Sequence, residues 1–428
     1  MNRKRRGGFS ILAAVLAVML ALFLGLLFWL LHGNEEPERI LQGAAGTETL
    51  SVSGQASPLE NSGQDVPGDG SEQPERMEEN SPVVIIGAEE AGENDGSGSS
   101  DGEGELENSS EEAVPEEEIN LLFAGDVFLS SHVLNAYDTA GGIGGVLDEE
   151  LRQVIQASDY FMVNQEFPFS DRGTAAEDKQ FTFRLPPSRV HLLQEMGIDM
   201  VTLANNHSLD FGTDALLDTC RTLDEAGIRY VGAGENMARA RQLETVEVKG
   251  KIIGFLGSSR VIPVYDWTAG EQKPGVAITY DPGMLLKDIA AAKQVCDYVV
   301  VYVHWGKEKA VTPEEYQQTM GRQYIDAGAD LVIGSHPHVL QGIEYYQGKP
   351  IVYSLGNFVF GSSIPRTMLL QAALGKDGVK LSAVPCKSAA GYTQMEKDPE
   401  KTAAFYQELQ GLSVHAQVNE AGEITAAE

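Results

Sequence analysis

Beyond residue 118 the chain repeatedly runs apolar for about 4–8 residues, the length of a buried strand, and then breaks on polar or glycine-bearing positions. INLLFAGD, YFMVNQE, DMVTLANNH, RYVGAG, KIIGFLGSS, DYVVVYVHWG, DLVIGSHPH and PIVYSLGNFVF all follow this rule. Between them, LLDTCRTLDEAG, MLLKDIAAAKQVC and PEEYQQTMGRQYIDAGA carry helical periodicity, the first and last closing on Gly or Ala just past the periodic residues. This alternation predicts an α/β domain whose sheets are buried, over residues 118–428. After Gly361 the pattern is weaker: LLQAAL and VKLSAVP are candidates for added strands, and SVHAQV for a last short one.

Ahead of the domain the pattern changes twice. Residues 9–31 form one uncharged apolar run, and crossing a bilayer as a helix takes roughly 20 residues. A cleaved signal would have an apolar core of only about 7–15 residues, so the run predicts a transmembrane anchor. Arg3, Lys4, Arg5 and Arg6 precede it and acidic residues follow. The positive-inside rule then leaves the N-terminus cytoplasmic and places everything after His32 outside the cell membrane. Residues 33–117 are rich in Glu, Gly, Ser, Asn and Pro, with Arg39 and Arg76 as their only basic residues. Such a stretch buries too little apolar surface to offset its ordering entropy and is expected to be a disordered acidic linker. Within it SPVVIIGA either adds a strand to a partner or is a sticky patch.

The formal net charge of −32 argues against nucleic acid as a partner. Cys220, Cys296 and Cys386 lie far apart with no CxxC spacing, which excludes a thiolate zinc site and a disulfide-dense scaffold. They are core residues, or one pair is bridged and one thiol is left over.

In open α/β sheets ligands bind beyond the carboxyl ends of the strands. The predicted strand ends carry Asp126, Glu166, Asn205, Asn206, His207, His304, His336 and His338, whereas His32, His132, His191 and His415 lie elsewhere. Each has a structural use alone: Asp126 as a cap, Glu166 as a loop carboxylate, His304 as a hydrogen-bonded core histidine. Together, imidazoles, carboxylates and an amide oxygen make a mixed N/O donor set suited to one or two divalent ions of Mn, Zn or Fe. His336 and His338 flank Pro337, a spacing that in extended chain turns both rings to one side. In ANNH one asparagine offers a carbonyl oxygen, and His207 is placed to act as a general acid. Asp210 either orients His207 or serves a helix's first turn.

FAGDVFLS, NQEFPFS, FTFRLPP, VTLANNHSLDFG, YVGAGEN, VYVHWG, GADLVIGSHPHVLQGIE and IVYSLGNFVF, in this order, resemble the CapA family, also called the PgsA or poly-γ-glutamate capsule synthesis family. That family is similar to calcineurin-like metallophosphatases. The resemblance implies a four-layer αββα sandwich of two mixed sheets covered by helices, preceded by the anchor and linker. It also implies residue roles: Asp126 as the first metal aspartate, Glu166 in place of the bridging aspartate, and Asn206 with His207 as metal ligand and proton donor. His304 matches the isolated metal histidine, and His336 and His338 the terminal ligand pair. The pattern departs at Val127 and Phe128, where the first motif lacks its second ligand, and at Glu166, which is longer than aspartate.

Substrate contacts are expected from Asn205, from Arg184 in FTFRLPP by bidentate pairing unless it forms a surface salt bridge, from Trp305 as a wall unless it only packs, and from Asn357 as an orienting group or a turn residue. Two functions fit. One is a metal-dependent hydrolase or transferase acting outside the membrane on a cell-envelope or capsular anionic polymer. The other is a non-catalytic, polymer-binding accessory subunit of membrane synthesis or export partners.

Overall fold

The structure is a computed structural model that describes residues 117–361 and 363–427. The expected anchor and all but the last residue of the expected linker lie outside these residues. Among the described residues no helix is long and apolar enough to cross a membrane.

Two large mixed sheets form the body. In the first, β1 (Ile119–Val127), β2 (Tyr160–Gln165), β3 (Met200–Thr202) and β4 (Arg229–Val231) run parallel in that order. On the other side of β1 the sheet continues antiparallel through β14 (Ser363–Gly375), β15 (Gly378–Ala389), β18 (Glu423–Ala426) and β17 (Ala416–Val418). β13 (Asn357–Val359) pairs with the end of β1, and β16 (Tyr392–Met395) with that of β15. The second sheet has the order β11 (Ile343–Tyr346), β12 (Lys349–Val352), β10 (Leu331–Ser335), β9 (Tyr298–His304), β7 (Lys251–Ser259) and β6 (Glu244–Val248), parallel inside and antiparallel at both edges. β5 (Ala233–Gly234) and β8 (Gly275–Val276) form a small separate pair.

Side-chain alternation sorts the core into three layers. Leu121 and Phe123 of β1 point between the sheets, where Phe255, Val300, Tyr302 and Ile333 of the second sheet meet them. Leu122 and Ala124 point the other way, onto Leu151 and Ile155 of α2 (Glu149–Gln156) and Leu216 and Leu223 of α4 (Gly212–Ala226). The outer face of the second sheet, with Val299, Val301 and Val332, packs on Ile289 of α6 (Gly283–Ala292) and on Met320 and Tyr324 of α7 (Glu315–Ala327). The order is helix, sheet, sheet, helix. Central strands are covered on both faces, which is why they read as unbroken apolar runs. The helices α1 (Ser131–Ala140), α3 (His191–Glu195) and α5 (Met237–Ala240), and α8 (Pro399–Leu412) between β16 and β17, complete the set.

Local chemistry sets several ends. The Asp148 carboxylate caps α2 by accepting the Leu151 N–H at 3.0 Å, Glu314 and Gln317 form a capping box on α7, and Gly227, with φ 72°, closes α4 where the sequence places its stop. Two expected strands are each split. RYVGAG divides into β4 and β5 at Gly232, whose φ of 85° suits a residue without Cβ. PIVYSLGNFVF crosses from the second sheet to the first, as β12 and β13, through Gly356 with φ 63°. The three cysteines are free and buried, so the core alternative holds.

Candidate metal centre

Both sheets deliver polar side chains to one seam at the carboxyl ends of their strands. From the first sheet come Asp126 at the end of β1, Asn164 and Glu166 at the end of β2, and the turn Asn205–Asn206–His207 after β3. From the second come His304, which ends β9, and His336 and His338 after β10. Parallel register sets the neighbours: Asp126 lies opposite both Asn164 and Asn357, and His304 opposite both Ser259 and Ser335.

Asp126, Glu166 and His304 are fully buried, and each offers a ligand atom within 4.8 Å of the others. The remaining candidates close around them. Asn206 Oδ1 lies 2.8 Å from His304 Nε2, and Glu166 Oε1 lies 3.7 Å from the same nitrogen. His338 Nδ1 is 3.0 Å from Asp126 Oδ2, its Nε2 is 3.9 Å from Glu166 Oε2, and the His336 ring centre is 4.7 Å from that of His304. Asn164 knits the floor: its Nδ2 donates to Asp126 Oδ1 at 2.8 Å and lies 3.2 Å from Glu166 Oε1, while its Oδ1 accepts from Asn205 Nδ2 at 2.9 Å.

Three buried atoms here, Asp126 Oδ2, Glu166 Oε2 and His336 Nδ1, make no hydrogen bond among the described residues, Asp126 Oδ2 having only the His338 ion-pair contact at 3.0 Å. A buried polar atom left unsatisfied costs about 1–3 kcal/mol, more when charged. Three such atoms aimed into one seam are what a divalent cation would satisfy, so the donor set fits a metal.

The electrostatics agree. Burial first, and the Asp126 carboxylate second, push the Glu166 carboxyl well above its ordinary range. Burial also drives His304 far below the usual imidazole range, with His336 and His338 adding to it. His336 falls to about 4 for the same first reason. Both are therefore neutral near pH 7, the form in which imidazole binds metal. His338 differs: burial alone would lower it, but Glu166 and Asp126 outweigh burial and raise it to about 10.

Beside this group the β3 turn is tightly held. Asn205 Oδ1 accepts the His207 backbone N–H at 2.9 Å and the Ser208 hydroxyl at 3.1 Å. His207 Nδ1 meets Asp210 Oδ2 at 2.7 Å, and the same oxygen accepts the Phe183 N–H at 2.7 Å. Asp210 thus orients His207 rather than serving α4, which starts two residues later. The Phe183 ring stacks on His207 at 4.4 Å. Lys179 donates to Asp210 Oδ1 and to the Asn206 carbonyl, and its Nζ stands 3.0 Å from His207 Nδ1. Burial lowers the Lys179 ammonium pKa, against the pull of Asp210.

Asn357 joins the site through a 2.8 Å contact between its Oδ1 and His338 Nδ1. The other three expected substrate contacts are engaged in the protein's own packing and hydrogen bonds. Asn205 is fully buried with its amide spent on Asn164, Gln165, His207 and Ser208. Trp305 packs in the outer core against Tyr324 and Tyr353 and donates its indole N–H to the Tyr353 carbonyl at 2.9 Å. Arg184 lies over the Phe211 ring and donates to the Arg172 carbonyl at 3.0 Å. The HPH pair also departs from expectation: His336 and His338 have φ of 99° and 59°, so a left-handed turn, not extended chain, brings the rings within 5.9 Å.

Sequence reasoning did not find Asn164, Lys179 or Phe183. Asn164 stands two residues before Glu166, where strand alternation puts it on the same side. Phe183 lies inside FTFRLPP. Lys179 sits in a polar loop with no periodic signal.

The whole arrangement falls within residues 120–362, which match the family described as "Bacterial capsule synthesis protein PGA_cap". The chain is 32% identical over 320 residues to the capsule biosynthesis protein CapA of Bacillus anthracis, covering 68% of this chain and 75% of that one. It is 32% identical over 314 residues to the PGA biosynthesis protein CapA of Bacillus subtilis (strain 168), covering 72% and 82%. Among solved structures, the 5'-nucleotidase of Candida albicans SC5314 aligns with a TM-score of 0.33 and 11% identity over 67% of this chain and 50% of that one, too slight a likeness to bear on residue roles. With more than half its length matched, and two relatives covered over three quarters or more of theirs, the chain belongs to the PGA_cap family of bacterial capsule synthesis proteins.

Proposed function

We propose that the protein acts in capsule or poly-γ-glutamate biosynthesis, export or attachment as a metal-dependent hydrolase or transferase on a cell-envelope polymer. In this reading the domain is held outside the cell by the anchor in residues 1–32 and the acidic linker in residues 33–117, and it works beside membrane synthesis or export subunits. The observation that carries the reading is the buried trio Asp126, Glu166 and His304 with unsatisfied carboxylate oxygens beside it. These residues, with Asn206, His336 and His338, would hold one or two divalent ions. Bound there, an ion supplies Lewis-acid polarisation of a phosphoryl or carbonyl oxygen and an acidified water.

The protein's own groups do the rest. Asp210 engages His207 at Nδ1, which leaves Nε2 as the atom that takes up a proton and hands it to a leaving oxygen. Phe183 shields the ring from water, and Lys179 balances the Asp210 charge. One observation favours the non-catalytic alternative, a polymer-binding accessory subunit: His207 is only 6% exposed. Metal content and turnover of phosphodiester and polymer substrates by the purified protein separate the two. Bound metal is expected, with His207→Ala lowering turnover about a hundredfold and His338→Ala losing metal. Protein without metal, or with turnover indistinguishable from both variants, would overturn the enzymatic reading.

A further inference from the structure

Arg260 follows β7 one residue past the Ser259–His304 pair, and its backbone N–H donates to the His304 carbonyl at 2.7 Å. Its guanidinium lies over two rings, Tyr280 at 4.4 Å and Tyr316 at 4.7 Å. Among the described residues no carboxylate pairs with it, and its buried Nε has no acceptor. The Tyr316 hydroxyl in turn accepts the Gly306 N–H at 2.6 Å. Gly306 opens the exposed loop that carries Lys307 and Lys309, and the Lys309 N–H donates at 2.8 Å to the Pro337 carbonyl, between the two site histidines. Among the described residues neither lysine has an ion-pair partner, and neither does Glu308 between them.

This is unusual in an acidic chain. Most other basic side chains are tied to carboxylates, as Arg172 is to Asp218, Arg241 to Asp288 and Arg322 to Glu344. With a formal charge of −32, acids are in surplus everywhere, so cations left unpaired beside one site keep their charge free for a ligand. Ring faces fix the Arg260 guanidinium without neutralising it, and its N–H edge stays suited to planar anions. The exposed lysines add mobile charge that can follow successive groups along a chain.

We propose that Arg260, Lys307 and Lys309 form an anion-binding subsite that holds the carboxylates of a linear polycarboxylate beside the metal centre. This rests on the polymer reading above and adds where and by what chemistry the chain is held.

The test is titration of the purified full-length protein in detergent with fluorescent poly-γ-glutamate, and with polyphosphate and neutral dextran as comparison probes. Arg260→Gln and the double variant Lys307→Gln/Lys309→Gln are each expected to weaken poly-γ-glutamate binding about tenfold, the worth of a charge-assisted contact, and to flatten its salt dependence. Lys287→Gln, which removes an unpaired exposed lysine on α6, is the control and should bind like the unaltered protein. Metal content should be equal in all four proteins. The exposed lysine pair carries the test if Arg260→Gln does not fold. Binding by both rim variants equal to that of Lys287→Gln overturns the subsite while leaving the function intact, and so does tighter binding of polyphosphate than of poly-γ-glutamate. An unaltered, metal-loaded protein that ignores poly-γ-glutamate overturns the polymer reading together with the subsite, whereas polymer binding without metal overturns only the enzymatic reading.

Discussion

Lys179 brings an ammonium to a place where Asp210 is fully buried and His207 nearly so, and its bonds to Asp210 and to the Asn206 carbonyl replace the water it gives up. A buried pair of this kind adds little net stability over an apolar pair, but breaking it leaves a charge stranded. Lys179→Met is therefore expected to lower unfolding stability by about 3–5 kcal/mol in urea, and the double variant Lys179→Met/Asp210→Asn to recover most of the loss. A single variant as stable as the unaltered protein would remove Lys179 from the account. Asp218 makes a second, more exposed case. The Arg172 fork holds its carboxyl down at about 2 against the upward push of burial, with the Ser170 hydroxyl assisting. A carboxyl depressed in the folded state stabilises fully above its unfolded value of about 3.9, and the contribution fades as pH falls towards its folded value. Asp218→Asn should cost about 1 kcal/mol at pH 7, discounted for the half-exposed Arg172. The gap from the unaltered protein should close between about pH 4 and about pH 2; a gap that stays constant across that window would refute the linkage.

At the scale of elements, β1 shows how close packing positions a ligand. A Cβ on Gly125 would lie 1.8 Å from the Gly356 carbonyl oxygen, the same oxygen that accepts the Asp126 N–H at 2.8 Å. Gly125→Ala must push β1 away from the crossover into β13, at about 1–3 kcal/mol for overpacking, and should weaken metal binding because Asp126 moves with it. Gly144→Ala, whose nearest neighbour is 3.9 Å away, should fall within about 0.5 kcal/mol; equal calorimetric melting of the two variants would deny the cradle. The strands that set the site, β1, β2, β7, β9 and β10, were legible because they are covered on both faces and end on polar residues. β14 and β15 were legible only in part, LLQAAL and VKLSAVP marking a stretch of each but not their lengths or partners. They are strands of 13 and 12 residues, and β14 pairs directly with β1, a neighbour fixed by tertiary order and not by local pattern. For Trp305 the packing alternative holds, because the residue after His304 points to the opposite face of the sheet, into the outer core. Lys179 left no mark because only the fold brings its loop to Asp210.

On the scale of the whole molecule, the site is a seam. Asp126, Glu166 and Asn206 belong to the first sheet, and His304, His336 and His338 to the second, so a bound ion would brace two sheets that also meet through apolar contacts, hydrogen bonds such as Tyr302 to the Ala124 carbonyl at 2.8 Å, and ion pairs such as Arg229 to Glu244 at 3.4 Å. Charge is divided along the chain in the same sense. Residues 33–117 hold 23 acidic against two basic residues and would repel a polyanion, in keeping with the proposal that the unpaired cations beside His304 receive it. If the ion braces the sheets, its removal must be felt globally. Without it Asp126 and Glu166 face each other buried, with one oxygen of each unsatisfied, and Glu166 is driven towards its protonated form. The chelated protein is therefore expected to melt at a lower temperature than the metal-loaded one, and added Mn, Zn or Fe to restore stability as RT ln(1 + [M]/Kd), about 2.7 kcal/mol at a hundredfold excess over Kd. Asp126→Asn/Glu166→Gln removes the repulsion and both carboxylate ligands together, so its melting should respond far less to chelator or to metal. Calorimetry on the four samples decides: a response to metal undiminished in the double variant would place the ion elsewhere, and no response in the unaltered protein would mean that the seam holds no ion.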